Sequence, residues 1–345
     1  MGATQKVINL YKPSTWKEKG LKWTIRMLFV TLVLLTLFFM LYWSNEPDEF
    51  DVNNNAKYTA DKLNVPIVNG FTTTATLAHI VETLLDKPGG FIENDRMPPG
   101  VFLDNMPNWE FGVLVQARDM ALALRNDFSR SQSQSTEDED LVNAATKLHT
   151  DSELWVLPPA ESQYRESIES LYKYLKRLAD VKQDNAQFYS RADNLVDWLQ
   201  VVKKRLGSLS QRLSASVGKE QLNTDLAGDA DAKQSTPNAS SKYIKTSWFK
   251  IDDVFYQARG QTWALIHLLK AIEVDFTPIL QKKNAMVSLR QIIRELEGTQ
   301  QTIWSPVILN GKGFGFVTNH SLVMASYISR ANAALIDLER LLQQG

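Results

Sequence analysis

An uncharged run of 19 residues, Met27–Asn45, constrains this chain more than any other feature. A helix rises 1.5 Å per residue, so the run spans about 28 Å, close to the thickness of the hydrocarbon core of a bilayer. Aromatic residues, whose rings favour the membrane interface, lie near both ends of the run: Trp16, Trp23, Tyr42 and Trp43. The run therefore predicts a transmembrane helix over residues 27–45.

The charges on either side of this run predict which side of the membrane each end occupies. Residues 1–26 hold six lysine and arginine residues and one glutamate, and four acidic residues lie between 46 and 51. The positive-inside rule puts the basic tail, 1–26, in the cytoplasm and the chain after residue 45 outside it. A cleaved signal peptide fits less well, because the run is longer than a signal-peptide core and no small-x-small site follows it.

The composition of the remaining chain limits the kinds of protein that it can form. This part of the chain has about 300 residues, which is enough for a large hydrophobic core. It contains no cysteine, so an exported domain must rely on its hydrophobic core rather than on disulfides. The full chain has a net charge of −1, of which the basic tail supplies +5, which leaves −6 for the rest. A mildly acidic domain of this kind argues against nucleic acid as a partner. The predicted partners are the lipid of the membrane that the run crosses and a further protein.

Apolar residues at helical spacing predict a mainly α-helical domain after the span. Residues 46–72 lack this spacing and are expected to form an extended stalk. A first helix is predicted over Thr74–Asp86, followed by a connector over 88–108 that is rich in proline and glycine. An Asn-Gly pair flanked by apolar residues predicts a short β-hairpin near 306–317. Further helices are predicted over 109–130, 138–150, 160–182, 185–214, 247–275, 282–302 and 319–343.

Short matches at similar spacing predict two tandem, similar helical halves. Gln116-Ala-Arg118 recurs as Gln257-Ala-Arg259, and Ser190-Arg-Ala192 recurs as Ser329-Arg-Ala331. A tryptophan and a proline lie inside each interval, Trp155 with Pro158 and Trp304 with Pro306. A stretch poor in aromatic and rich in small polar residues predicts a flexible linker between the halves. The predicted segments are 73–215 for the first half with its leading helix and connector, 216–242 for the linker, and 243–345 for the second half.

The repeated arginines are the most informative polar residues. Arg118 and Arg259 each lie on an apolar helix face, and a buried charge requires a partner. In one interpretation each arginine is structural and bonds to a carboxylate or to carbonyls at a helix end. In the other, Arg118 and Arg259, with Arg191 and Arg330, form a pocket between the halves for an anionic ligand, because guanidinium binds carboxylate and phosphate bidentately. Buried charges are usually paired internally, which favours the structural interpretation.

The sequence contains no recognisable catalytic, cofactor-binding or metal-binding motif. The four histidines lack metal-ligand spacing, and no HExxH, P-loop, GxGxxG or GxSxG motif occurs. The polar residues that an active or binding site would use first are Asp95 and Asp104 in the connector and His320 at a predicted helix start. Whether the protein is an enzyme stays open, and the lack of a motif argues against it.

Four motifs resemble those of a proteobacterial family of single-pass inner-membrane proteins described only as a domain of unknown function. The resemblance implies a Gram-negative inner membrane and a periplasmic domain, and it implies no activity. The leading hypothesis is therefore a membrane-anchored periplasmic interaction or scaffold protein. The alternatives are a module that binds an anionic ligand between the two halves, and an envelope enzyme that uses His320 and Asp95. The motifs are Pro88-Gly-Gly-Phe-x-x-Asn-Asp95-x-x-Pro-Pro99, Asp104-Asn-Met-Pro-x-Trp-Glu110, Pro159-Ala-Glu-Ser-Gln-Tyr164 and Asn319-His-Ser-Leu-Val-Met-Ala-Ser-Tyr-Ile-Ser-Arg-Ala-Asn332.

Overall fold

A computed structural model describes residues 5, 9–131, 136–180, 182, 185–222, 241–312 and 315–344. Within these residues the chain forms twelve α-helices and one antiparallel sheet of two strands. The predicted fold class, mainly α with an apolar helix near the N-terminus, is confirmed. The division into two similar halves stays a prediction.

Two helices, α1 (Pro13–Lys19) and α2 (Leu21–Trp43), precede the domain. Among the described residues, α2 alone is long and apolar enough to cross a membrane. It begins six residues before the predicted span because the helix continues through Lys22, Thr24 and Arg26, and it ends two residues earlier, where Ser44 follows it. We refer to α2 as the candidate span.

Residues 46–72 differ from the extended stalk that was expected, because they contain α3 (Val52–Leu63). The Asp51 carboxylate accepts a hydrogen bond from the Asn54 N–H at 2.7 Å and caps the start of this helix. Its buried face is formed largely by Ala56, Thr59 and Ala60. Small side chains of this kind carry little hydrophobic signal, and this explains why the apolar spacing did not reveal the helix.

The rest of the domain is a bundle whose helices agree with the predicted ones to within a few residues at most ends. At the predicted linker, 216–242, residues 219–222 and 241–244 pair as strands β1 and β2, the second of which extends two residues beyond it, and 223–240 lie outside the described residues. The predicted hairpin is reduced to a single antiparallel bridge between Asn310 and Asn319, with residues 313 and 314 outside the description. The helices are α4 (Phe71–Asp86), α5 (Asn105–Ala123), α6 (Glu139–Leu148), α7 (Ala160–Ala179), α8 (Ala192–Ser214), α9 (Ile251–Asp275), α10 (Thr277–Lys282), α11 (Met286–Glu297) and α12 (His320–Gln343).

The central pair of the bundle, α5 and α9, packs backbone against backbone. Gly112 of α5 lies against the backbone of Gln257 and Gln261 on α9, and Gly260 of α9 lies against the backbone of Trp109 on α5. A side chain at either glycine would overlap main-chain atoms of the opposite helix. Two glycines, one on each helix, therefore permit this close crossing.

Contacts at the helix ends give the direction of the main helices. Phe128 follows α5 and Phe276 follows α9, and their ring centroids lie 5.3 Å apart, so these two helices run parallel. The next pair, α8 and α12, runs antiparallel, as two contacts show: Lys203 pairs with Glu339, and Ser210 bonds to Ser329. Arg212, near the end of α8, bonds to Gln257, near the start of α9, and Arg259 bonds to the chain just after α11. The starts of α5, α9 and α12 and the ends of α8 and α11 consequently lie at one end of the bundle.

The candidate span joins the domain at this same end, through direct contacts. The Glu46 carboxylate accepts a hydrogen bond from Arg259 Nε at 2.6 Å. Further along, the Phe50 ring stacks on His267, with centroids 4.0 Å apart, and the Phe50 N–H donates to His267 Nε2 at 3.0 Å. The residues after the span therefore run along α9 and hold the span to the domain.

Four connecting segments lie at the end of the domain from which α2 emerges. The ring of Trp43, the last residue of α2, packs against Gly89. Residues 44–49, which follow the span, face Gln300, Thr302 and Ile303 across one cavity. Hydrogen bonds connect the other segments, from Asn94 Nδ2 to Leu154 O at 2.8 Å and from Asn310 Nδ2 to Ser216 O at 2.9 Å. We call the described residues of these segments the span-proximal loops: 87–104, 149–159, 215–222 with 241–250, and 298–312 with 315–319.

Candidate functional site

Arg118 connects the end of α6 to the core through hydrogen bonds. Its Nε donates to the Leu148 carbonyl and its Nη2 donates to the Thr150 carbonyl, both at 2.7 Å, just where α6 ends. The Tyr164 hydroxyl lies 3.4 Å from the same Nη2. The last carbonyls of a helix have no partner within the helix, so the guanidinium supplies donors that this end requires.

Arg259 likewise donates hydrogen bonds to carbonyls at the end of α11. Its Nη1 donates to the carbonyls of Thr299 and Gln301, both at 2.9 Å, while its Nε donates to the Glu46 carboxylate. A longer contact of 3.3 Å joins Nη2 to the Gln300 carbonyl. All three guanidinium nitrogens are therefore used inside the protein, which agrees with the structural interpretation of this residue.

The other two arginines of the predicted pocket lie at two further positions. The four arginines therefore do not line one pocket. Arg191 immediately precedes α8 and pairs with Asp193. Arg330 lies in the middle of α12 and bonds to Glu295 of α11 at 2.8 Å, with half of its side chain exposed. Because one arginine precedes a helix and the other lies inside one, the repeated Ser-Arg-Ala motifs do not occupy equivalent positions.

A buried ion pair lies under the first span-proximal loop. The Lys87 ammonium pairs with the Glu110 carboxylate, and the two side chains are 1% and 0% exposed. The same carboxylate accepts hydrogen bonds from the backbone N–H groups of Ile92 and Glu93 at 2.9 and 2.8 Å. The pair therefore fastens the Pro/Gly connector to α5. The sequence did not single out this pair, although Glu110 ends one of the four motifs, because no local rule connects Glu110 with Lys87.

Glu93 forms a second buried carboxyl beside this pair. Its Oε1 accepts a hydrogen bond from the Ser152 hydroxyl at 2.9 Å, and its Oε2 is buried without a partner among the described residues. Burial raises the pKa of Glu93 to about 7, and repulsion from Glu110 adds to the effect. Burial also raises the pKa of Glu110 to about 7, against the attraction of Lys87. Raised pKa values occur both in acid–base catalysts and in structural networks. The contacts of Glu93 and Glu110 attach the connector to the core, which is the arrangement of a structural network.

The Glu93→Gln variant is expected to gain stability relative to the natural protein at about pH 8 and not at about pH 5. The raised pKa means that the folded state loses stability as the pH rises from about 4.5 to about 7, because the unfolded chain releases this proton first. Glutamine abolishes that loss, so the difference between the two pH values should be about 1–3 kcal/mol. Denaturant unfolding at both pH values measures it. Glu153→Gln, at an exposed position, is the control, and an equal effect of Glu93→Gln at both pH values would contradict the argument.

The three polar candidates from the sequence have separate roles in the structure. Asp104 caps α5, because its Oδ1 accepts a hydrogen bond from the Asn105 N–H at 2.9 Å. Asp95 lies in the connector, where burial raises its pKa. His320 begins α12, and its Nδ1 accepts a hydrogen bond from the Leu309 N–H at 3.0 Å. No shared reaction centre follows from these contacts.

A cavity of about 420 Å³ lies beside His320, between α9, α12 and the last span-proximal loop. Ligand sites commonly have volumes of this order. Arg259 forms part of one wall, and its guanidinium is paired with Glu46. Large apolar side chains line most of the rest, namely Phe255, Ile303, Trp304, Leu309, Met324 and Tyr327.

The span-proximal loops expose large apolar side chains to an unusual degree. Leu157 is 91% exposed and Trp304 is 93% exposed. Sequence reasoning noted Trp155 and Trp304 only as markers of a repeat. The sequence did contain a signal of their exposure. These rings lie in segments that contain proline and glycine, and the segments lack the helical spacing of apolar residues that indicates a buried helix face. Among the described residues beyond the candidate span, every exposed tryptophan and phenylalanine lies on these loops: Phe102, Trp155, Trp248, Phe249, Trp304 and Phe316.

The described part of the chain brings together no group of three His, Cys, Asp or Glu side chains that could hold a metal ion. At one end it brings together an apolar cavity, a rim of exposed rings and the end of the candidate span. This arrangement is suited to binding apolar groups.

The fold defines the protein as a helical-bundle domain attached directly to a candidate N-terminal membrane helix. Residues 16–345 match a family described as an uncharacterized protein conserved in bacteria (DUF2333), and the chain belongs to this family. The resemblance seen in the motifs is thereby confirmed at the level of a bacterial family, over nearly the whole chain. Searches of curated proteins and of solved structures found no match.

Proposed function

We propose that this protein is a single-pass protein of a Gram-negative inner membrane whose periplasmic domain acts as an interaction or scaffold module held against the bilayer. The basic excess in residues 1–26 supports a cytoplasmic N-terminus. The four acidic residues between 46 and 51 are then on the periplasmic side, together with the helical domain.

The observation that carries the proposal is that the candidate span and the exposed rings share one end of the domain. Trp43 packs against Gly89 of the first span-proximal loop, so the bilayer surface lies next to these loops. Aromatic rings favour the membrane interface, whereas large apolar patches exposed to water mark an interaction surface. The rings at Trp155, Trp248 and Trp304 therefore enter the interface of the periplasmic leaflet.

A domain mounted in this way has a fixed height and orientation on the membrane. Glu46 and Phe50 bond to α9 immediately after the span, which leaves no long tether. The sides of the bundle and the end that carries Val287 then face the periplasm, where an envelope protein can bind. A scaffold requires this kind of fixed presentation.

The alternatives have weaker support. An anionic-ligand pocket between the two halves needs free guanidinium groups, and Arg259 uses its nitrogens on carbonyls and Glu46. An enzyme that uses His320 and Asp95 needs those side chains in one site, and no contact among the described residues joins them.

Single cysteines, labelled with a membrane-impermeant maleimide, test orientation and bilayer contact together, since the chain has no cysteine of its own. In intact spheroplasts, Val287→Cys should react, because Val287 is 78% exposed and far from the span. Lys12→Cys should react only after permeabilisation. Leu157→Cys and Trp304→Cys should react at least about fivefold more slowly than Val287→Cys and equally fast in detergent, because the interface shields them.

The outcomes of this experiment separate the parts of the proposal. Labelling of Lys12→Cys in spheroplasts without labelling of Val287→Cys would reverse the orientation. Labelling of Leu157→Cys and Trp304→Cys as fast as Val287→Cys would contradict bilayer contact and leave the orientation intact.

A further inference from the structure

The apolar cavity beside His320 lies next to the point where the chain leaves the candidate span. It shares Arg259, Thr302 and Ile303 with a second cavity, which is lined on its other side by residues 44–49. One layer of side chains therefore separates the apolar cavity from the first residues after α2. A ligand that comes from the bilayer would enter here without crossing the periplasm.

The chemistry of the walls favours a hydrocarbon chain over a small anion. Phe255, Leu309 and Met324 offer carbon surfaces, and Trp304 stands at the rim with 93% of its surface exposed. Each methylene group that moves from water into such surroundings gains about 0.8 kcal/mol. The cation in the wall, Arg259, is paired with Glu46 and donates to three carbonyls, so its charge is balanced within the protein.

His320 supplies one polar contact inside this apolar site. Its Nδ1 accepts the Leu309 N–H at 3.0 Å, so Nδ1 carries no proton. A neutral imidazole then carries its proton on Nε2 and can donate one hydrogen bond from it. Burial lowers the pKa of His320, which keeps the ring neutral. Within the described residues Nε2 makes no hydrogen bond, and a ligand that fills the cavity can accept one from it.

We infer that this cavity binds the acyl chain of a membrane lipid, with a carbonyl oxygen of the ligand accepting a hydrogen bond from His320 Nε2. A phospholipid of the periplasmic leaflet and a free fatty acid both carry this chemistry. The inference rests on the proposed position of the domain at the bilayer for the source of the ligand. The acyl site lies inside the cavity and shares only Trp304 with the exposed rings, which contact lipid at the surface.

The test uses the full chain in phospholipid nanodiscs that contain one of two photoreactive probes. One probe is a phosphatidylethanolamine with a diazirine in its acyl chain, and the other is a diazirine fatty acid. After irradiation, mass spectrometry locates the labelled peptides. Label from either probe within residues 298–327 supports the acyl site, and the probe that labels more strongly identifies the source. Label on α2 is expected in every case and serves as the internal standard.

Variants that fill the cavity test whether the photolabel comes from a ligand bound inside it. Met324→Trp fills it from inside, and Thr318→Trp fills it from an exposed position on the rim, where folding is not at risk. Each should reduce the label within 298–327 at least about fivefold relative to α2, since a ring occupies the space of the chain. His320→Phe should reduce it about threefold to tenfold through loss of one hydrogen bond. Val287→Trp, at an exposed position outside the cavity, is the matched control and should change nothing.

Two results would overturn the inference: label from both probes confined to α2, or label within 298–327 that neither Met324→Trp nor Thr318→Trp reduces. If the photolabelling fails and Trp304→Cys reacts slowly with maleimide, the acyl site in the cavity is wrong and the domain is still held at the bilayer. If the cavity is strongly photolabelled and Trp304→Cys reacts fast, the acyl site is supported and the contact of the exposed rings with the bilayer is wrong.

Discussion

Replacement of Gly260 by alanine is expected to destabilise the domain by about 3 kcal/mol or more. The added methyl group would overlap the main chain of Trp109 on α5, and main-chain atoms cannot rotate away as a side chain can. Relief requires α5 and α9 to separate along their crossing, which loosens the centre of the bundle. Gly112→Ala should have a similar effect, since its methyl group would overlap the Gln257 carbonyl. Urea unfolding followed by circular dichroism measures both.

Gly207 provides the matched control on another helix. It lies within α8, and the nearest atom to an added methyl group is Asn332 Nδ2 at 3.9 Å, an ordinary contact. Alanine is favoured over glycine inside a helix, so Gly207→Ala should raise stability by about 0.5–1 kcal/mol. If Gly260→Ala and Gly112→Ala behave like Gly207→Ala, the two central helices are not in backbone contact.

The Arg259→Ala variant is expected to lose about 3–5 kcal/mol of stability. The substitution leaves the carbonyls of Thr299 and Gln301 without donors and leaves the Glu46 carboxylate without its cation. Burial already raises the pKa of Glu46 in the presence of Arg259. Removal of the guanidinium should raise that pKa further. Since Glu46 is the first contact between the span and α9, the loss should also loosen the attachment of the domain.

Arg330→Ala is the control that the sequence itself suggests, because the two arginines occur in the predicted repeat. Half of the Arg330 side chain is exposed in its pair with Glu295, so its loss should cost less than about 1 kcal/mol. Arg259→Lys should fall between the two, because lysine keeps the charge and loses the planar set of donors. Equal, small effects at both arginines would show that Arg259 is solvated, and a gain of stability in Arg259→Ala would favour the anionic pocket.

Local pattern was enough to predict most of the helices. The last one was predicted over 319–343 and is found at His320–Gln343, with the Asn319 side chain accepting the Leu322 N–H at its start. Apolar spacing and capping residues act within a few turns, so a single sequence shows them. The same spacing failed for α3, because its buried face consists largely of alanine and threonine.

Arg118 and Arg259 show where prediction from sequence stops. Their apolar neighbours indicated burial, and the costs of burial required partners. Which partners they have depends on residues that lie 30–32 and 40–42 positions further along the chain, for Arg118 and Arg259 respectively, and on Glu46, 213 positions before Arg259. No local rule connects positions so far apart, so these partners could be identified only in the packed structure.

By itself, the sequence determined that this protein has one long apolar helix near its N-terminus, a helical domain after it and no cysteine on which to rely. These properties follow from composition and periodicity, which are local. The tertiary structure decided that the span meets the domain without a stalk, that Gly112 and Gly260 let two helices touch, and that the exposed rings and the cavity beside His320 gather at the end next to the span. These arrangements depend on where separate segments meet, and that is set by packing of the whole chain.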